Sequence, residues 1–179
     1  SGLLYQGDRP ASVQLLPLCM GIAAALALEE FAGAKLFLKW PNDLMVAHGD
    51  GFLKAGGVLV ESSNHPRFRI VAGLGLNWTV APALSGSGAL FLDPTQRKEF
   101  LGVLIPAINR WVAAERQAIM SAFESRSVFQ THAARYAAKV FPAARLGEDG
   151  QLYLYPETGV AVAVGDVRER LEIVAREVS

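Results

Sequence analysis

Residues 39–77 read KWPNDLMVAHGDGFLKAGGVLVESSNHPRFRIVAGLGLN, from Lys39 to Asn77. Three apolar runs, Leu44 to Ala47, Val58 to Glu61 and Phe68 to Leu76, are separated by the turn formers His48-Gly-Asp-Gly51 and Asn64-His65-Pro66. Short apolar runs bounded by Gly, Asp, Asn and Pro are the pattern of strands joined by reversing turns. The stretch therefore predicts a hairpin followed by a third strand apolar enough to lie centrally in a sheet. Polar residues stand where the runs begin and end: Lys39, Asn42, Asp43, Lys54 and Asn77. Strand ends hold side chains rigidly while the adjoining loops leave room for a ligand, so these are the first candidates for chemistry.

Working outward, Lys35 to Lys39 alternates as a half-buried strand does, and Pro41 stops it. Ahead of it, Leu15, Leu18, Cys19, Ile22, Leu26 and Leu28 form the broad apolar face of a helix capped at Ser12 and ended by Gly33. Leu3 to Tyr5 reads as a short strand. After Asn77, residues 81–93 form a long loop rich in Pro, Gly and Ser. Phe100, Leu101, Leu104, Ile108 and Trp111 then recur at helical spacing, with Pro106 as a kink point and helix expected up to Arg135 or beyond. Gly147-Glu-Asp-Gly150 predicts a turn before strands at Leu152–Tyr155 and Val160–Val164. The tail from Asp166 fits two patterns. Asp166 with Glu169 resembles a capping box for a helix bearing Val167, Leu171, Val174 and Val178, whereas Leu171, Ile173 and Ala175 alternate as a strand. The fold class is α/β (α+β), a mixed sheet covered by helices on one side, with a main domain over 1–140 and a small C-terminal β segment over 141–179.

The composition narrows the function. Hydrophobic residues make up 51% of the 179, enough for a real core, and 17 Lys and Arg balance 17 Asp and Glu. That balance provides no overall electrostatic footprint for nucleic acid or an anionic membrane. Cys19 is the sole cysteine, which rules out a disulfide within the chain and suits a reducing, cytoplasmic setting. Pro17, Gly21, Glu29 and Glu30 interrupt or bound the longest apolar run, so no membrane span is expected. His48, His65 and His132 have no metal-ligand spacing. The chain opens Ser1-Gly2 rather than at a methionine, and further chain upstream is expected.

Three motifs stand in order: Lys39-Trp-Pro-Asn-Asp43, Lys54-Ala-Gly-Gly-Val-Leu-Val-Glu61 and Gly73-Leu-Gly-Leu-Asn77. Each alone reads structurally as well as functionally, as a good turn, a strand bulge and a tight strand end. Together they resemble the biotin protein ligase family of the biotin/lipoate ligase superfamily, whose signature is a Lys-Trp-Pro-Asn-Asp turn, a Lys-x-x-Gly-x-Leu-x-Glu strand and a Gly-x-Gly-x-Asn strand. The resemblance extends more loosely upstream to Gly2-Leu-Leu-Tyr5 and the Ala-rich helix. It implies a class II aminoacyl-tRNA-synthetase-like catalytic domain that joins biotin to ATP and passes the biotinyl group to a lysine of a biotin carrier protein. Joining a carboxylate to ATP brings two anions together, and a cation on a rigid strand among small residues is what that step needs. The resemblance assigns this role to Lys54, with Gly57 and Leu59 lining the biotin pocket. It gives Asp43 the incoming amine, Asn42 and Asn77 the neighbourhood of the nucleotide, and leaves Mg²⁺ to phosphates and water rather than to protein ligands.

The sequence departs from the family in two places. The arginine- and glycine-rich loop that precedes the Gly2-Leu-Leu-Tyr5 strand in the family has no counterpart here, and Gly147 to Val167 matches only the last strands of an SH3-like barrel. Three readings stay open: part of a ligase, a shortened ligase completed by a partner subunit, and a non-catalytic relative serving as an interaction module. A lipoate or octanoate ligase or transferase is the enzymatic alternative. A sheet lacking its first strands exposes an edge, so a homodimer or partner subunit is expected.

Overall fold

The computed structural model describes residues 2–7, 13–63, 68–165 and 170–176, which leaves the Ser12 cap, the Asn64–Pro66 turn, and Asp166, Glu169 and Val178 outside. Five strands, β1 (Gly2–Gly7), β2 (Phe37–Lys39), β3 (Asp43–His48), β4 (Gly51–Ser63) and β5 (Phe68–Leu76), form a sheet in the order β1-β5-β4-β3-β2. Every ladder in it is antiparallel. The sheet expected to be mixed is thus antiparallel because β2, β3 and β4 follow one another through tight reversals, which leave no crossover for a parallel pair. β4 starts at Gly51, well before Val58. The Lys54-Ala-Gly-Gly57 segment breaks the apolar pattern but pairs along its length with β3.

The register of that pairing jumps. Leu44 faces Gly56 and Met45 faces Lys54, so Ala55 has no opposite residue and β4 carries a bulge there. The bulge restores Lys54 and Gly57 to one face of the sheet, although they are three residues apart.

Helix α1 (Leu16–Ala32) is buried almost all round and lies under the sheet, with Met20 against Val58 and Ala72. It ends where Gly33 adopts φ 65° and its N–H bonds the Glu29 carbonyl at 2.9 Å. With the turn before it, the helical stretch Val13–Ala32 spans 20 residues at mean hydropathy 1.7, so it does reach the length and apolarity of a membrane span, contrary to the sequence reading. Pro17 sits in its first turn, where it is tolerated, and the side chains are spent on the core. Leu15, Ile22 and Leu28 are wholly buried with Leu36, Leu44, Trp78 and Phe100, each large apolar side chain contributing about 1.5–3 kcal/mol.

Helix α2 (Arg97–Val112) contains Pro106 without ending there, and α3 (Arg116–Arg126) follows. Helix does not continue to Arg135. Ser127 turns extended at φ −63°, ψ 132°, its hydroxyl accepts the Phe129 N–H at 3.3 Å, and Val128 and Phe129 drop into a second core. Two three-stranded antiparallel sheets build on that core, and they involve β6 (Ala133–Tyr136), β7 (Lys139–Phe141), β8 (Ala143–Leu146), β9 (Leu152–Tyr155), β10 (Val162–Ala163) and β11 (Glu172–Val174). Their orders are β11-β6-β7 and β10-β9-β8. The tail therefore takes the strand alternative at Glu172–Val174, where it pairs with β6. Met45, Phe37 and Phe52 of the large sheet seal this core, and Trp40 Nε1 donates to the Gly150 carbonyl at 3.0 Å.

Candidate functional site

The site begins with the Trp40-Pro41-Asn42 turn. Asn42 is fastened to β4 on both sides: its Nδ2 donates to the Val58 carbonyl at 2.7 Å and its carbonyl accepts the Val58 N–H at 2.8 Å. This extends the ladder backward and aims Asp43 across the sheet. Asp43 lies opposite Gly57, and Gly57 lies opposite Gly75, so a row across three strands carries one carboxylate and two residues without side chains. Lys54 fills the space over Gly57, where a β-carbon would sit 3.5 Å from its Cε and 3.6 Å from its Nζ.

Lys54 Nζ ion-pairs with Asp43 Oδ1, and Lys39 Nζ approaches the other oxygen at 3.9 Å. Asp43 is mostly buried while Lys54 is half exposed, so the carboxylate is held and the ammonium can reach out. Burial pushes the Lys39 ammonium below the usual lysine range; neighbouring Asp43 opposes that shift and Lys54 adds to it. Next along β4, Leu59 stands 61% exposed opposite Gly73. The result is an open strip with a bare glycine floor, one apolar side chain, and a charged end. A compact acid could lie along it with its carboxylate at Lys54.

Asn77 has a structural duty that the motif did not reveal. Its Nδ2 donates to the carbonyls of Gly88 at 2.8 Å and Lys54 at 3.2 Å, while the Lys54 N–H and carbonyl bond Gly86 and Gly88. Asn77 thereby ties the long loop onto β4 beside the lysine. The predicted residues Asp43, Lys54 and Gly57 form one cluster, Asn42 and Asn77 brace it from either side, and Leu59 extends it.

Sequence reading missed the far wall. Arg135, Arg170 and Glu172 face the same cavity from the C-terminal sheets. No spacing links residue 43 to residue 172, and only the strand choice in the tail could have hinted at it.

No family model matches the chain. It is 34% identical over 126 residues to the biotin–[acetyl-CoA-carboxylase] ligase of Paracoccus denitrificans, a match covering 59% of this chain and 50% of that protein. The chain thus spans about half the length of that curated relative. In structure it is similar to the biotin protein ligase of Aquifex aeolicus in complex with biotin and ATP, with TM-score 0.71 and 22% identity over 92% of this chain and 73% of that one.

The chain has the fold of the biotin protein ligases.

A variant of the same Aquifex aeolicus ligase, in complex with biotin, gives TM-score 0.72 at 21% identity over 95% of this chain and 75% of that one. A biotin protein ligase-like protein of unknown function from Silicibacter sp. also shares the fold, at TM-score 0.55 and 18% identity over 90% of this chain and 70% of that one. Apart from the antiparallel sheet, the fold class expected from the sequence stands, and the resemblance to biotin protein ligases read from the three motifs agrees with the similarity to the Paracoccus denitrificans ligase.

Proposed function

We propose that this chain carries the biotin-activating and biotin-transferring centre of a biotin protein ligase. The observation that supports it is the pairing of Lys54 with Asp43 over Gly57, at the charged end of a glycine-floored strip. In the first step the biotin carboxylate attacks the α-phosphorus of ATP, a P–O bond forms, the bond to the β-phosphate breaks, and pyrophosphate leaves. Lys54 screens the two anions as they meet, in a position that the bulge and Gly57 keep free. An anion arriving at Lys54 competes with Asp43 for its ammonium. In the second step a neutral lysine amine of the carrier protein attacks the acyl carbon, the C–N bond forms, AMP departs, and Asp43 takes the amine's proton.

Magnesium would neutralise phosphate charge when bound. The carboxylates at this end of the site are already ion-paired, which suits an ion brought in on the nucleotide and held by phosphates and water.

The test is calorimetry with biotin and with ATP, followed by labelling of a biotin carrier domain. Lys54→Ala is expected to lower labelling by about 10²–10³-fold, the range for removing one transition-state charge partner. Unchanged labelling in that variant would sink the assignment. Octanoate outcompeting biotin would favour the lipoate or octanoate branch.

A further inference from the structure

Among the described residues, Asp43 has two cations within 4.0 Å, and they are held in different ways. Lys54 reaches Oδ1 from β4, beside the bulge, and its side chain is 51% exposed. Lys39 is the residue directly opposite Asp43 in the β2–β3 ladder, its side chain is 19% exposed, and its Nζ lies 3.9 Å from Oδ2. Register keeps Lys39 beside the carboxylate, whereas Lys54 can turn outward. The remaining charged groups around this cavity, Arg135, Arg170 and Glu172 on the far wall, are ion-paired with one another.

In the ligase reading Lys54 is needed twice, by Asp43 at rest and by the two anions during activation. Once the anions draw it away, Oδ1 loses its partner. A mostly buried carboxylate with no cation beside it takes up a proton, because burial penalises the charged form. A protonated Asp43 cannot then accept the proton of an incoming amine. Lys39 prevents this, since its partner is the other oxygen and its place in the ladder does not depend on Lys54. The dependence is mutual. Burial pushes the Lys39 ammonium below the usual lysine range, Asp43 is the stronger of the two carboxylates that oppose the shift, and Glu172 is the weaker.

We propose that Lys39 is the standing counter-ion of Asp43, a positioning residue that keeps the carboxylate charged and in place while Lys54 is occupied by the anions. The proposal rests on the ligase reading and adds a residue to its second step, in which a proton passes from the carrier amine to Asp43.

Lys39→Met tests it, because methionine keeps an apolar stem and removes the charge. Carbon-13 NMR of the Asp43 carboxyl, in the parent chain, Lys39→Met, Lys54→Ala and the double variant, reads the counter-ion role without turnover. Each single variant is expected to change the protonated share at pH 6 little, and the double variant to raise it at least about tenfold above either one. Transfer is read separately, with biotinyl-adenylate and a biotin carrier domain added to the same samples. Relative to the parent, Lys39→Met is expected to transfer about tenfold more slowly at pH 6 and to recover to within about threefold at pH 9, with Lys39→Arg close to the parent throughout. A folding defect produces neither the recovery nor the rescue. Additive effects in the NMR comparison, a loss that does not change with pH, or an equal loss in forming the adenylate from biotin and ATP overturns the proposal. A parent chain that neither binds biotin nor transfers it removes the ligase assignment, and the NMR comparison then decides the counter-ion role alone.

Discussion

Neighbouring glycines in β4 have opposite reasons to be glycine. A β-carbon on Gly56 would fall 2.4 Å from the Gly75 carbonyl oxygen, a backbone atom that cannot step aside, whereas one on Gly57 would meet its nearest atoms at ordinary contact distance. Gly56→Ala is therefore expected to destabilise the chain by about 2 kcal/mol or more, the range of overpacking in a rigid core, and thermal unfolding reads this directly. Gly57→Ala should leave the melting temperature nearly unchanged while weakening biotin binding, because it crowds Lys54. Equal stability losses in the two variants would contradict this division. Cys19 makes a prediction in pH. Burial pushes its thiol from 9.0 up to about 11, so the folded chain keeps it neutral while the unfolded chain ionises. Stability from this group is whole below pH 9 and drains away between pH 9 and 11, at about 1.4 kcal/mol per pH unit. Denaturant melts of Cys19→Ala, compared with the parent across that window, should show a shallower decline. Of the site, the motif residues were legible in sequence because their types are unusual at strand ends; the bulge at Ala55 that brings Lys54 over Gly57 was only one reading among several for paired glycines.

At the level of elements, α1 and the β3–β4 hairpin could be read because their turns are written in Gly and Asp. The β6–β7 hairpin could not. Its two linking residues, Ala137 and Ala138, both have positive φ, 50° and 61°, a conformation in which Asn and Gly are at ease and alanine is strained. An Ala-Ala pair carries no turn signal, so nothing at these positions spoke against the helix expected up to Arg135 or beyond. Replacing Ala137 by Asn and Ala138 by Gly should raise stability by about 1 kcal/mol, visible as a higher denaturant midpoint at unchanged slope. No gain would mean that the hairpin does not take this turn. The strand in the tail was half legible, since alternation and helical spacing coexisted there until pairing with β6 decided it.

Across the whole molecule, the two cores share a boundary. Trp40 packs against both, its indole N–H is tied to Gly150, and Arg126 joins α3 to Glu29 and to the Leu36 carbonyl. Cores coupled through shared side chains open together, so tryptophan fluorescence and far-ultraviolet circular dichroism should trace one coincident transition in urea. Two separated midpoints would show the C-terminal sheets melting on their own. None of this coupling was readable in the chain, because the contacts join residues about a hundred positions apart, where local pattern carries no information.

The far wall of the cavity has a consequence in time. A ribosome delivers Lys39, Asp43 and Lys54 early, and Arg170 and Glu172 only within the last residues of this segment. Until β11 emerges and pairs with β6, a growing chain holds the lysines and their carboxylate with nothing facing them. The cavity is thus completed by the end of the segment rather than by its motifs, and a nascent molecule stopped short of β11 has the signature without the enclosure.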